Sequence, residues 1–203
     1  MEPASGTRVL VAVDGTFRGY LTISDTLKTG AADAVGQLKA AGLYTVMLTG
    51  DEEASALAVA GEVGIEEPHA RCLPQDKLEK LQQIRSVRGS VMFVGDGIND
   101  APVLAGADVG AAMGSGADAA IEAADVVFMT SDVRAIPEAL EIARMTGKIA
   151  WQNVVFALAI KFLVMILGLL GHASMWMAVF ADSGVAMLCV LNAIRMLYRE
   201  KAK

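Results

Sequence analysis

The 203 residues predict an α/β domain built on a mostly parallel sheet, followed by a two-helix transmembrane hairpin. Three observations carry that expectation. Short β-rich runs alternate with helix-like stretches up to about residue 130, two long apolar segments occupy residues 154–171 and 175–191, and the charge divides along the same line. Residues 1–148 hold 12 Lys/Arg and 21 Asp/Glu, net −9, whereas residues 149–203 hold 5 and 2, net +3. A formal charge of −6, 54% hydrophobic residues and a mean hydropathy of +0.47 suit one soluble domain with a membrane tail.

The β-rich runs are residues 8–13, 20–23, 45–48, 91–94, 109–112 and 126–129. Helix-like stretches at 28–41, 52–63, 75–87, 101–105 and 117–123 lie between several of them. Strands alternating with helices imply right-handed crossovers and a largely parallel sheet. Ligands in such a sheet bind beyond the carboxyl ends of the strands.

Each apolar segment is about 17 or 18 residues, at the short end for a membrane span, and flanking residues such as Ala193 can extend it. Apolar residues run all round both segments, which favours lipid over the core of a soluble protein. Residues 1–8 are polar and lack a secretory signal, so insertion falls to the tail itself. Arg144 and Lys148 precede the first segment and Arg195, Arg199, Lys201 and Lys203 follow the second, whereas residues 171–174 carry no Lys or Arg. Both ends should therefore face the cytoplasm. The expected location is the plasma (inner) membrane of a prokaryote, with lipid as a partner.

The acidic balance argues against a nucleic-acid partner, which needs clustered Lys/Arg. Cys72 and Cys189 are too far apart in sequence to read as a disulfide framework or a zinc motif.

Lys161 and Asp182 each sit near the middle of one apolar segment. Charges at that depth are expensive and mark function by default. Lys161 lies ten residues before Gly171 and Asp182 eight after Ser174, so a tight antiparallel hairpin brings them to nearly one depth. A buried ion pair, or an ion site, is the first reading.

Two strand ends carry further chemistry. Thr49-Gly50-Asp51 follows the run Val46-Met47-Leu48 and offers a hydroxyl, an open backbone and a carboxylate at a helix mouth. That is a phosphate cradle or an ordinary helix cap. Gly95-Asp96-Gly97-Ile98-Asn99-Asp100 brackets two carboxylates and an asparagine with glycines on a strand-to-helix turn. A hard cation with water and phosphate, hence Mg2+, suits that set better than turn chemistry alone. Lys77 opens the intervening helix and can reach the same crevice to neutralise phosphate charge.

These elements, in this order and followed by a membrane hairpin, resemble the phosphorylation domain of a P-type ATPase, which has the haloacid-dehalogenase-like fold. The resemblance implies that Thr49, Gly50, Asp51 and Lys77 handle the transferred phosphoryl group of ATP, that Asp96 ligates Mg2+, and that Asp100 with Asn99 supports that site. It also implies domains at 1–23 (the end of a nucleotide-binding domain and a return strand), 24–148 (phosphorylation) and 149–203 (membrane helices and a short tail). Asn153 with Lys161 eight residues on, then Asp182-Ser183-Gly184, is similar to the last two membrane helices of pumps exporting zinc, cadmium and lead. The Met and paired serines of copper pumps and the His-Glu-Gly run of cobalt pumps are absent. A carboxylate suits a divalent ion where soft sulfur ligands select monovalent copper. Asp182 is thus the expected ligand of the transported ion and Lys161 its counter-ion.

The Asp-Lys-Thr-Gly-Thr segment that is phosphorylated in these pumps is absent. The chain resembles the carboxyl-terminal piece of a pump whose amino-terminal part is missing, and is expected to be inactive in ATP hydrolysis alone. Asp14-Gly15-Thr16 leaves two alternatives: a nucleophile for a standalone membrane-anchored phosphatase, or a hairpin turn. A non-catalytic metal-binding membrane subunit is a third. His69 with Cys72, Cys189, His172 and the membrane methionines read as structural before they read as ligands. The helix-like stretch 136–147 is expected to run into the first membrane segment unless Gly147 forms a joint.

Overall fold

A computed structural model describes residues 7–23, 26–114, 116–172 and 174–200. Lys201, Lys203 and residues 1–6, on which the charge and signal readings partly rest, lie outside the described residues. The chain divides between Pro137 and Glu138 into two compact units.

In the first unit, β1 (Thr7–Val13) and β2 (Thr16–Ile23) form an antiparallel hairpin. Asp14 and Gly15 join them with φ of 51° and 73°, the two left-handed positions of a type I′ turn that Asp-Gly favours. The turn reading of Asp14 therefore holds. A nucleophile at the mouth of a parallel strand is not what this residue is: its strand is antiparallel and belongs to a separate sheet.

The remaining strands are parallel, but they do not form one sheet. β3 (Val46–Leu48) pairs with β4 (Glu67–His69), and β5 (Met92–Gly95) pairs with β6 (Val109–Met113), which pairs with β7 (Val126–Phe128). β3 and β5 are not hydrogen-bonded to each other. Parallel strands are normally covered on both faces and paired along both edges. Here β3, β4 and β5 are only half buried, while four of the five residues of β6 are buried.

Helices α1 (Ala31–Ala40), α2 (Glu53–Val63), α3 (Pro74–Arg88), α4 (Ala101–Gly106) and α5 (Asp118–Ala123) make the crossovers. Their core contribution is a few aliphatic side chains packed against small residues. Leu81 of α3, Val103 and Leu104 of α4, Ala111 and Ala112 of β6 and Ala120 of α5 are fully buried or nearly so. A Cβ at Gly110 would collide with the Leu104 carbonyl, so only glycine lets α4 lie this near β6.

The second unit is a helical hairpin. α6 runs unbroken from Ala135 to Leu169, so Gly147 makes no joint. Two residues beyond its end, Gly171 with a φ of 77° turns the chain while His172 N–H donates to the Leu167 carbonyl (2.8 Å). Ser174 Oγ accepts from Met177 N–H and starts α7 (Met175–Val179). A π-helical turn, Phe180–Gly184, then interrupts the second apolar segment before α8 (Val185–Glu200). Gly184 permits that turn, because a Cβ there would stand 2.6 Å from the Phe180 ring.

Both apolar helices are long enough to cross a membrane. They expose Phe156, Phe162, Leu163, Ile166, Trp176 and Leu188, a surface that needs lipid or other membrane helices against it.

Candidate functional site

The carboxyl ends of β3, β4 and β5 build the first site. After β3, the Thr49 hydroxyl donates to Asp51 Oδ2 (2.8 Å) and accepts from Asp51 N–H (3.1 Å). The two residues lock each other and do not cap α2, whose N-cap is Glu52. The β4 loop closes over them, with Cys72 N–H on the Thr49 carbonyl and Arg71 N–H on that of Asp51, each at 2.9 Å. A Cβ at Gly50 would meet only the Cys72 carbonyl at 3.6 Å, so packing does not require glycine there and the space above it is open.

Pro74 begins α3, and Asp76 Oδ2 caps it by accepting from Leu73 N–H (2.9 Å). The next residue, Lys77, leaves the helix face and places Nζ 2.7 Å from Asp100 Oδ1. Their side chains are 15% and 12% exposed. The other oxygen, Asp100 Oδ2, accepts from Gly97 N–H (3.3 Å). Both carboxylate oxygens of Asp100 are thus engaged, and Gly95 makes room for them: a Cβ there would lie 2.8 Å from Asp100 Cβ.

Asp96 is the contrast. Its side chain is exposed and makes no hydrogen bond or ion pair among the described residues. Its backbone is fixed, since Ala117 N–H donates to the Asp96 carbonyl (2.9 Å) and Gly116 passes where a Cβ would lie 2.9 Å from that oxygen. Asn99, beside it, is also exposed. The arrangement offers one tethered free carboxylate next to a neutralised lysine–aspartate pair.

In the second unit, Lys161 Nζ lies 3.3 Å from Asp182 Oδ1, so the two membrane charges pair. The pair is not buried within the hairpin: the side chains are 57% and 77% exposed. Asp182 sits at the centre of the π turn, a distortion that often marks functional positions in helices. Among the described residues no three His, Cys, Asp or Glu side chains converge as a metal cluster.

His69 and Cys72 are held by local contacts. His69 Nε2 meets Glu67 Oε1 at 2.8 Å, and the buried Cys72 thiol faces the carbonyls of His69 and Ala70. With Tyr44 also donating to Glu67 (3.0 Å), the His69 and then the Tyr44 hydrogen bond hold the Glu67 carboxyl below its ordinary range. The bond to Glu67 raises the Tyr44 phenol in turn. Sequence reasoning missed Asn192, whose Nδ2 donates to Asn153 Oδ1 (2.8 Å). A lone amide in the apolar stretch 185–194, ten residues beyond Asp182, was the available signal.

Residues 2–108 match the haloacid dehalogenase-like hydrolase family. The chain belongs to that family. It is 48% identical over 198 residues to the cadmium, zinc and cobalt-transporting ATPase of Bacillus subtilis, covering 95% of this chain and 28% of that protein. It is 50% identical over 196 residues to the zinc-transporting ATPase of Synechocystis sp., covering 95% of this chain and 27% of that protein. A solved zinc-transporting PIB-type ATPase in the E2.Pi state superposes with a TM-score of 0.85 at 40% identity, covering 95% of this chain and 32% of that one. The chain thus spans under a third of the length of these relatives, and the likeness includes the membrane hairpin as well as the α/β domain.

Proposed function

We propose that this chain works as the carboxyl-terminal part of an ATP-driven pump exporting divalent heavy metals, zinc, cadmium or lead. One observation carries the reading: a lysine–aspartate crevice at parallel strand ends and a lysine–aspartate pair in an apolar helical hairpin occur in one chain, 95% of which aligns with ATPase relatives. Cobalt belongs in the range too, since the Bacillus relative is named for it although the His-Glu-Gly run is absent here.

In the assembled pump an aspartate outside this chain accepts the phosphoryl group of ATP. The division of the parallel sheet supports a further element there: among the described residues β3 and β5, which lead into Thr49 and Asp96, are each paired on one side only, and an extended segment can join such an edge. Thr49 and Lys77 would orient and neutralise the phosphoryl group, with Gly50 leaving its backbone approachable and Asp51 holding the Thr49 hydroxyl. Mg2+ fits Asp96, the free hard-oxygen ligand, with water and phosphate completing its shell; Asn99 borders that position. When bound, it would neutralise charge building on the phosphoryl oxygens. Asp100 acts through Lys77 and Gly97, since its own oxygens are taken.

Asp182 is the ligand this chain gives to the transported ion, and Lys161 the counter-ion that replaces the ion when the site is empty. The exposure of both supports a site completed by other membrane helices. Arg144, Lys148 and Arg195, which flank the hairpin, support cytoplasmic ends, and the bacterial relatives support a prokaryotic inner membrane. The unbroken α6 supports a stiff connection from Ala135 into the membrane.

In a complete pump carrying this sequence, Asp182→Ala abolishes zinc- or cadmium-stimulated ATP hydrolysis, and undiminished stimulation refutes the ligand assignment. The purified 203-residue chain alone releases no phosphate from ATP. Steady release would overturn the claim that it lacks the nucleophile.

A further inference from the structure

Among the described residues, polar contacts join the hairpin helices at three levels, one of them the Lys161–Asp182 ion pair. Thr146 Oγ1, which donates to the Ile142 carbonyl (2.8 Å), lies 3.5 Å from Met196 Sδ, Asn153 meets Cys189 and Asn192, and Lys161 meets Asp182. From level to level the chain advances seven and then eight residues on α6, and recedes seven and then seven on the returning segment. That is a near-heptad antiparallel seam.

The middle level is the most specified. Asn153 Nδ2 donates to the Cys189 carbonyl (3.1 Å), Asn192 Nδ2 donates to Asn153 Oδ1 (2.8 Å), and Arg195 donates to Asn192 Oδ1 (2.9 Å). The direction of every bond is forced. A guanidinium only donates and a carbonyl only accepts, so Arg195 turns the Asn192 oxygen toward itself and its amide toward Asn153. The Asn153 amide is then left to reach the Cys189 carbonyl.

We infer that Asn153 and Asn192 are positioning residues that set the register of the hairpin, and through it bring Lys161 opposite Asp182. An ion pair cannot fix register by itself, because a lysine stem is long and flexible and its attraction is non-directional. Asparagine is short, and its amide bonds only within a narrow range of directions. A slip of one residue on either helix moves a side chain about 1.5 Å along the axis and about 100° around it, which takes Asp182 off Lys161. Because none of the clamp's bonds involves Lys161 or Asp182, it holds the register whether or not Lys161 is engaged. The use of that property, letting an incoming ion take Asp182 from Lys161 without the helices sliding, rests on the metal-site reading above; the register itself does not.

The test uses the full 203-residue chain in lipid vesicles without metal. A membrane-permeant carbodiimide activates the Asp182 carboxylate, which then forms an amide with a lysine amine within reach or rearranges to an N-acylurea if none is. The ratio of Lys161–Asp182 cross-link to Asp182 N-acylurea, read by mass spectrometry, reports the juxtaposition. Asn153→Leu and Asn192→Leu keep similar volume and suit lipid, so helix content by circular dichroism should stay unchanged. Each variant should lower the ratio about fivefold, the equivalent of the ~1 kcal/mol an interhelical hydrogen bond contributes in a membrane. Cys189→Ala should leave the ratio within about twofold of the parent, because the strong bond runs to its backbone carbonyl. A ratio unchanged in both leucine variants at constant helix content overturns the inference. Loss of zinc stimulation in a complete pump is a separate readout, so the ligand assignment and the register clamp can fail independently.

Discussion

Two lysine–aspartate pairs stand in this chain, and their surroundings differ. Lys77 and Asp100 meet at 2.7 Å with side chains 15% and 12% exposed, and a backbone N–H holds the second oxygen. Lys161 and Asp182 meet at 3.3 Å with side chains mostly exposed, and no other bond to either is present among the described residues. The first geometry makes a lock. The second makes a contact open to its surroundings, as the proposed exchange of Lys161 for an ion requires. The same two residue types therefore serve opposite ends, and burial with a third partner decides which.

The largest effect expected from this contrast follows removal of one member of the buried pair. Asp100→Ala leaves the Lys77 ammonium in a nearly closed site and frees Gly97 N–H, and breaking such a pair costs about 3–5 kcal/mol. Hydrogen exchange should show faster opening of the amides of α3, β5 and α4, while those of α8 keep their rates. Equal protection in variant and parent would mean that the pair is a surface contact. Gly95→Ala attacks the same lock from the other side. The new Cβ meets Asp100 Cβ at 2.8 Å, at the near end of a side chain that cannot swing because Lys77 holds it. Overpacking of this kind costs about 1–3 kcal/mol, and the same amides should report it.

For the open pair the matching substitution should do little to folding. Lys161→Ala in detergent solution is expected to change hairpin stability by less than about 1 kcal/mol, the scale of an exposed ion pair. A loss as large as that of Asp100→Ala would erase the distinction between lock and open contact.

How much of this could be read from residues alone also divides by region. The strand ends were legible because their chemistry is local: Gly95, Asp96, Gly97, Asn99 and Asp100 are contiguous, and Asp14-Gly15 specifies its own turn through two left-handed positions. β4 was not legible. Glu67-Pro68-His69 has neither alternation nor β-branched residues, and becomes a strand only because Val46–Leu48 supplies the ladder. The run of α6 through Gly147 was legible, because a glycine weakens a helix by only about 1 kcal/mol, which the long apolar propagation on its carboxyl side outweighs. The π turn at Phe180–Gly184 depends on a ring meeting an absent Cβ one turn away. The openness of the Lys161–Asp182 pair was hidden for a different reason: burial depends on what packs around a hairpin, and a count of residues to the turn gives only depth.

The smallest expected effect lies outside both pairs and asks whether a cluster at the edge of a parallel strand behaves like the lock or the open contact. Glu67 in β4 accepts from His69 and Tyr44, and these bonds lower its carboxyl below the ordinary range. A depressed folded-state value contributes stability above the unfolded carboxyl's ordinary range, and the contribution is lost as the pH falls through the folded value. Glu67→Gln should therefore flatten part of the acid-side decline in denaturation midpoint between about pH 7 and about pH 3, with a modest change near neutrality because the carboxyl is exposed. Identical pH profiles for variant and parent would place this cluster with the open contact, its hydrogen bonds present in the fold but adding nothing measurable to it.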